Sequence, residues 1–130
     1  MASLESRKKA YLAAKLALSK KAKDLVLLDM RKVCNFCDYF VVVTVTSGPQ
    51  AQAIIDAVSI GFRDKGVVSR ISRDSSEWMI LDSFDVVVHV FSETSRDFYS
   101  LERLWQNAKP VKLPASYKNG PKKSRRRTRK

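Results

Sequence analysis

The chain is poor in the residues that most often carry chemistry. Its 130 residues contain two cysteines, one histidine and four glycines. Two cysteines are too few for a disulfide scaffold, and with no secretory signal a reducing compartment is expected. Four glycines offer little material for a loop that cradles phosphates, and neither a Walker-type loop nor a G-x-G-x-x-G run occurs. No apolar run is long enough to cross a bilayer. The N-terminus lacks an apolar signal core with a small-residue cleavage site. Acidic residues are absent from Lys109 to Lys130, a stretch with ten Lys or Arg.

What is present is a soluble globular composition, 45% hydrophobic and 29% charged. The length suits one domain. The formal charge of +12 is placed unevenly. Met1 to Lys23 holds seven basic residues and Glu5, while Asp24 to Ala108 holds eight basic and twelve acidic residues. The body is thus mildly acidic between two basic ends. Basic ends favour phosphate-rich partners through counterion release.

Leu4, Tyr11, Ala14, Leu18 and Ala22 recur at helical spacing, which predicts a first amphipathic helix capped by Ser3, with Glu5 in its first turn. Leu25 to Leu28 and Tyr39 to Thr46 are β-rich runs without clean alternation, as in strands covered on both faces. Thr46-Ser47-Gly48-Pro49 switches the period to a second helix through Ala51, Ile54, Ile55, Val58 and Phe62, with Gly66 at its end. Strands are predicted at Val67 to Ser72, Glu77 to Leu81 and Asp85 to Ser92, the last two joined as a hairpin by Ser83-Phe84. A last helix is predicted from Ser95 to Trp105. The order α-β-β-α-β-β-β-α implies a mixed-sheet α/β sandwich over residues 1–108. Residues 109–130 are expected to form a disordered basic tail.

Candidate chemistry is sparse. Cys34-Asn35-Phe36-Cys37 has redox or zinc spacing, but it lies between strands, and His89 is its only further soft ligand. Ordinary thiols are the better reading, and no metal or cofactor is expected. His89 sits inside a strand with no apparent nucleophile beside it, so a packing or interface role is favoured. Asp82 and Asp85 flank the hairpin turn, where turn and cap roles outweigh Mg²⁺ binding. A nucleotidyltransferase would place Gly-Ser at a helix start and Asp-x-Asp on the next strand. Ser47-Gly48 is reversed and no Asp-x-Asp occurs. Trp78, Phe91, Tyr99 and Trp105 read as core or as interface anchors.

Several ordered blocks carry a resemblance. Asp38-Tyr39-Phe40, Thr46-Ser47 and Gln50 come first. Trp78 to Asp82, Asp85 to Phe91, and Arg96 to Trp105 follow as W-x-x-x-D, D-V-V-V-H-V-F and R-x-F-Y-x-L-E-x-L-W. Together they resemble the ribosomal silencing factor (Iojap-like) family over roughly Leu4 to Ala108. The resemblance implies a nucleotidyltransferase-like fold without its catalytic residues, and a non-enzyme. It implies binding to a universal large-subunit ribosomal protein, the fourteenth in standard naming, which blocks subunit joining and represses translation. Large-subunit assembly is the alternative duty in organelle relatives, and homodimerisation is a family property. Three departures stand out. Ser83-Phe84 replaces an aromatic-Gly pair, Asp74-Ser75-Ser76 lacks a glycine, and the tail from Lys109 lies outside the family core.

On this reading the partner contacts are Trp78, Leu81, Asp82, Asp85 and Tyr99. Asp38, Tyr39, Thr46, His89, Phe91, Arg96, Leu101 and Trp105 hold the fold. Within the tail, Lys122, Lys123, Arg125, Arg126, Arg127 and Arg129 lie on ribosomal RNA, or else the tail only solubilises. No membrane and no small-molecule substrate is expected, and a bacterial cytoplasm is favoured over an organelle matrix. The rivals are an active nucleotidyltransferase, which needs clustered carboxylates, and a general RNA binder acting through its ends, which predicts tight binding to bare RNA.

Overall fold

A computed structural model describes residues 5–33, 35, 37–75, 78–93 and 108–114. Helix α1 spans Ser6–Ser19, and strands β1 (Lys23–Asp29) and β2 (Tyr39–Val45) follow. Helix α2 spans Gly48–Asp64. Strands β3 (Arg70–Ser75), β4 (Trp78–Asp82), β5 (Val86–Ser92) and β6 (Lys109–Pro110) complete the sheet. Its order is β3-β4-β5-β2-β1-β6. The central pair, β2 and β5, is parallel, and every other pair is antiparallel. The mixed α/β architecture expected from the sequence is the one observed.

Both described helices pack on one face. Ala10, Ala13, Ala14 and Ala17 form a fully buried stripe on α1, at the spacing one helix face requires. Small side chains let α1 approach both the sheet and α2. Gly61 of α2 completes the fit, because a Cβ there would run into the Leu16 side chain. Beneath the helices lie Val41, Val43 and Val45 of β2, Met79 and Leu81 of β4, and Val86, Val88 and Val90 of β5. Alternate strand residues face one way, so the residues between them face the other.

The helix ends explain where the elements stop. Glu5, not Ser3, occupies the N-cap of α1, and its side chain makes no capping hydrogen bond. Ser47 caps α2, its hydroxyl accepting from the Gln50 N–H at 3.1 Å. At the far end Gly66 adopts φ +76. Its N–H donates to Arg63 O, and the Val67 N–H donates to Phe62 O. This Schellman closure takes up Val67, so β3 starts at Arg70 and not at Val67. Gln50 also clamps the α1–β1 turn: its Nε2 donates to Lys20 O and Lys21 O at 3.1 and 2.9 Å. Its Oε1 accepts from the Thr46 N–H at 2.9 Å.

One expectation fails at the C-terminal side. Lys109–Pro110 is a strand paired with Leu28 and Asp29 of β1. The Val111 N–H then donates to Leu27 O at 2.8 Å, and Leu113 is buried in the core. The fold therefore continues past Ala108 to at least Leu113. Basic composition hid the two apolar residues, Val111 and Leu113, that hold this segment. The predicted helix Ser95 to Trp105 and residues 115–130 lie outside the described residues.

Candidate docking face of the sheet

The sheet face away from α1 and α2 is built from the alternate residues of the same strands. It presents Trp78, Ile80 and Asp82 on β4, Val87, His89 and Phe91 on β5, and Phe40 and Val42 on β2. The register sets Ile80 opposite His89, and Trp78 opposite Phe91. Phe91 and Val42 are buried here, but Phe40, Ile80, Val87 and His89 are only partly covered. Phe40, Ile80, Asp82, Phe84, Val87 and His89 line a concavity of about 400 Å³.

The aromatic residues form one cluster along this face. Trp78 stacks on Phe91 with ring centroids 4.9 Å apart, and His89 lies 4.5 Å from Phe40. The Trp78 indole N–H donates to His89 Nδ1 at 3.3 Å. An imidazole that accepts at Nδ1 carries its proton on Nε2. That nitrogen is buried and meets no hydrogen-bond partner among the described residues. Burial pushes the His89 pKa down to about 4, against a smaller upward pull from Asp82. A neutral His89 thus orients the Trp78 indole.

The β4–β5 turn forms the rim. Phe84 has φ +76, unfavourable for a side chain with a Cβ, and it is 73% exposed. The Asp82 carboxylate accepts from its N–H at 2.8 Å. Ser83 closes the turn through its N–H and hydroxyl, both donated to Val86 O. Asp85 pairs with Lys9, which also donates to Ser83 O at 3.3 Å. The Asp85 carbonyl accepts from the N–H groups of Asp38 and Tyr39. Asp82 therefore shapes the turn, as the turn-and-cap reading expected, whereas the Asp85 carboxylate ties the turn to α1 through an ion pair that reading did not include.

Of the five proposed contacts, the structure brings Trp78 and Asp82 onto this face, with Asp85 at its rim. Leu81 is fully buried under the helices. It cannot touch a partner, because one residue along a strand reverses the face. Tyr99 lies outside the described residues, as do Lys122, Lys123, Arg125, Arg126, Arg127 and Arg129. Among the residues assigned to the fold, Tyr39 and Phe91 are buried. Thr46 holds the β2–α2 turn through Gln50. Arg96, Leu101, Trp105 and Cys34 are outside the described residues, and Cys37 is buried. Among the described residues no group of three His, Cys, Asp or Glu is placed to hold a metal. Sequence reasoning missed Phe40, Ile80, Phe84 and Val87 as parts of one surface. The parity of Trp78, Ile80 and Asp82 was the available signal.

Fold and face together define a class: a small mixed-sheet α/β protein with its described helices on one side and a partly uncovered aromatic and acidic surface on the other. Residues 3–130 match the family model described as ribosomal silencing factor during starvation. The Chromobacterium violaceum ribosomal silencing factor RsfS is 36% identical over 92 residues, 69% of this chain and 75% of that protein. The maize chloroplast protein Iojap is 38% identical over 107 residues, 78% of this chain but 45% of that longer protein. A crystal structure of a Chromobacterium violaceum protein superposes with a TM-score of 0.76 at 31% identity, covering 86% of this chain and 98% of that one. A Bacillus halodurans structure gives 0.72 at 31% identity, covering 82% and 99%. The chain belongs to the ribosomal silencing factor (RsfS) family, which includes Iojap. These relatives are named as silencing factors or Iojap proteins, and the family name makes the ribosome its target.

Proposed function

We propose that this chain represses translation without catalysis, by docking the sheet face opposite α1 and α2 on the large ribosomal subunit and excluding the small one. The intended partner is the universal fourteenth large-subunit protein, and the expected compartment is the bacterial cytoplasm. The observation that carries the reading is the contiguous, partly covered surface of Phe40, Trp78, Ile80, Val87 and His89. Beside it stand Phe84, largely exposed, and Asp82. Soluble domains seldom leave such a patch uncovered unless something binds it. Aromatic side chains of this kind commonly anchor interfaces. The carboxylates of Asp82 and Asp85, paired within the chain to Arg70 and Lys9 but with side chains 38% and 33% exposed, can also meet a basic ribosomal protein. Blocking needs only an ordinary interface, about 800 Å² per partner.

Co-sedimentation tests this. Purified protein is run on a sucrose gradient with separated subunits, and small subunits are then added. Comigration with the large subunit alone, with loss of joined ribosomes, is the expected result. Absence of comigration at moderate salt rejects it. Trp78→Ala, in protein that still folds, should weaken binding at least 30-fold, about 2 kcal/mol for a central aromatic anchor.

A further inference from the structure

A second charged region lies on the same end of the sheet as the β4–β5 turn, but towards the other edge. There β1 ends, β2 begins, and the N-terminus of α1 comes down. The Arg7 Nε donates to the Tyr39 hydroxyl at 3.3 Å. The Arg31 guanidinium lies 5.6 Å from the Tyr39 ring centroid and is forked onto Asp29 at 2.9 and 2.7 Å. Asp29 is in turn the cross-strand partner of Lys109 on β6. Lys8, Lys32, Lys109 and Lys112 are exposed around this pair of arginines. These six cations are accompanied by Glu5, Asp29 and Asp38. The β4–β5 turn, by contrast, carries Asp82 and Asp85. There the two carboxylates are matched by Lys9 and Arg70, so the surplus of positive charge is confined to the β1–β6 end. β4 and β6 are four strand steps apart, roughly 19 Å at about 4.8 Å per step.

The chain runs from Lys109 along the edge of β1 away from this end, Pro110 facing Leu28 and the Val111 N–H donating to Leu27 O. Leu113 is anchored in the core beyond β6. The sixteen residues from Ala115 to Lys130 follow it with eight Lys or Arg and no acid. Arginines held by a carboxylate and a tyrosine present their charge with little ordering left to do on binding. A surplus of fixed cations on a chain that also carries a basic tail is the electrostatic footprint of a polyphosphate partner. On a ribosome that partner is RNA.

We infer that the folded β1–β6 rim, and not the tail alone, is a phosphate-binding surface for ribosomal RNA next to the protein on which the sheet face docks. The inference rests on the proposed docking only for where that RNA lies. Binding of the full chain to the large subunit is measured from 50 to 300 mM KCl. Wild type is compared with Lys32→Glu/Lys109→Glu and with a control of equal charge change on the end of α2, Arg63→Glu/Lys65→Glu. Unchanged thermal midpoints establish folding, and Lys32→Gln/Lys109→Gln replaces the rim variant if it unfolds. The rim variant should bind at least 10-fold more weakly at low salt. Its slope of log affinity against log salt should shrink by about 2, one unit for each phosphate it no longer neutralises. The control should stay within twofold. Rim and control variants behaving alike overturn the inference and leave the docking face standing. If wild type ignores the subunit altogether, the docking proposal fails. A bare A-form RNA duplex then decides the rim: the same selective weakening upholds it, and equal binding overturns it.

Discussion

The two faces of this sheet are made by the same strands and behave differently. Under the helices, Val41, Val43, Leu81, Val86 and Val88 are all fully buried, and none has a polar side-chain atom. One residue along, Phe40, Ile80, Asp82, Val87 and His89 keep partial exposure, and the face includes an imidazole nitrogen with no hydrogen-bond partner among the described residues. The first face is apolar apart from the Tyr39 hydroxyl, which accepts from Arg7. The second mixes buried Val42 and Phe91 with polar atoms and partly exposed apolar side chains, the composition expected of the proposed docking face.

Substitutions should separate the faces. Leu81→Ala leaves a cavity in the helix-covered core and should destabilise the fold by about 2–5 kcal/mol in urea denaturation. A loss below about 1 kcal/mol would place Leu81 outside the core and undo the division. On the opposite face the largest effect should come from pH. His89 titrates near 4 in the fold against about 6.5 unfolded. Its folded-state contribution is therefore complete above about pH 6.5. As pH falls towards 4 the unfolded chain gains a proton that the folded chain refuses, and stability drops by up to about 3 kcal/mol. His89→Phe should remove that part of the pH dependence, and an unchanged profile would place the titration elsewhere.

The rim should respond less. Phe84→Gly relieves a positive φ and should stabilise by about 1 kcal/mol. A destabilisation instead would mean that the Phe84 side chain supports the turn. The smallest effect is expected at Asp29, which Arg31 holds down at about 2. This contribution is present above the ordinary carboxylate range and is lost as pH falls through it. Because Arg31 is half exposed, Asp29→Asn should cost about 1 kcal/mol or less at neutral pH.

Much of the fold was legible in the residues. The switch at Ser47-Gly48-Pro49, the stop at Gly66 and the hairpin at Ser83-Phe84 are local signals, and each holds. β6 was not legible, because two residues pair only through an edge of β1 that is distant in sequence. The site was half legible. Asp82 and Trp78 were identifiable, but Leu81 was assigned to the wrong side. In strands apolar on both faces, hydrophobicity does not tell which side the helices cover. Only the parity shared with Asp82 does, and the register with β5 makes it visible.

The central claim is that the sheet face opposite α1 and α2 docks on the ribosome. Its most direct test compares Ile80→Glu on that face with Ile60→Glu on the exposed side of α2, both in the binding assay with large subunits and both checked for folding. The account predicts at least a 30-fold loss of affinity for Ile80→Glu and a change within twofold for Ile60→Glu. Weakened binding in Ile60→Glu with Ile80→Glu unaffected would contradict it.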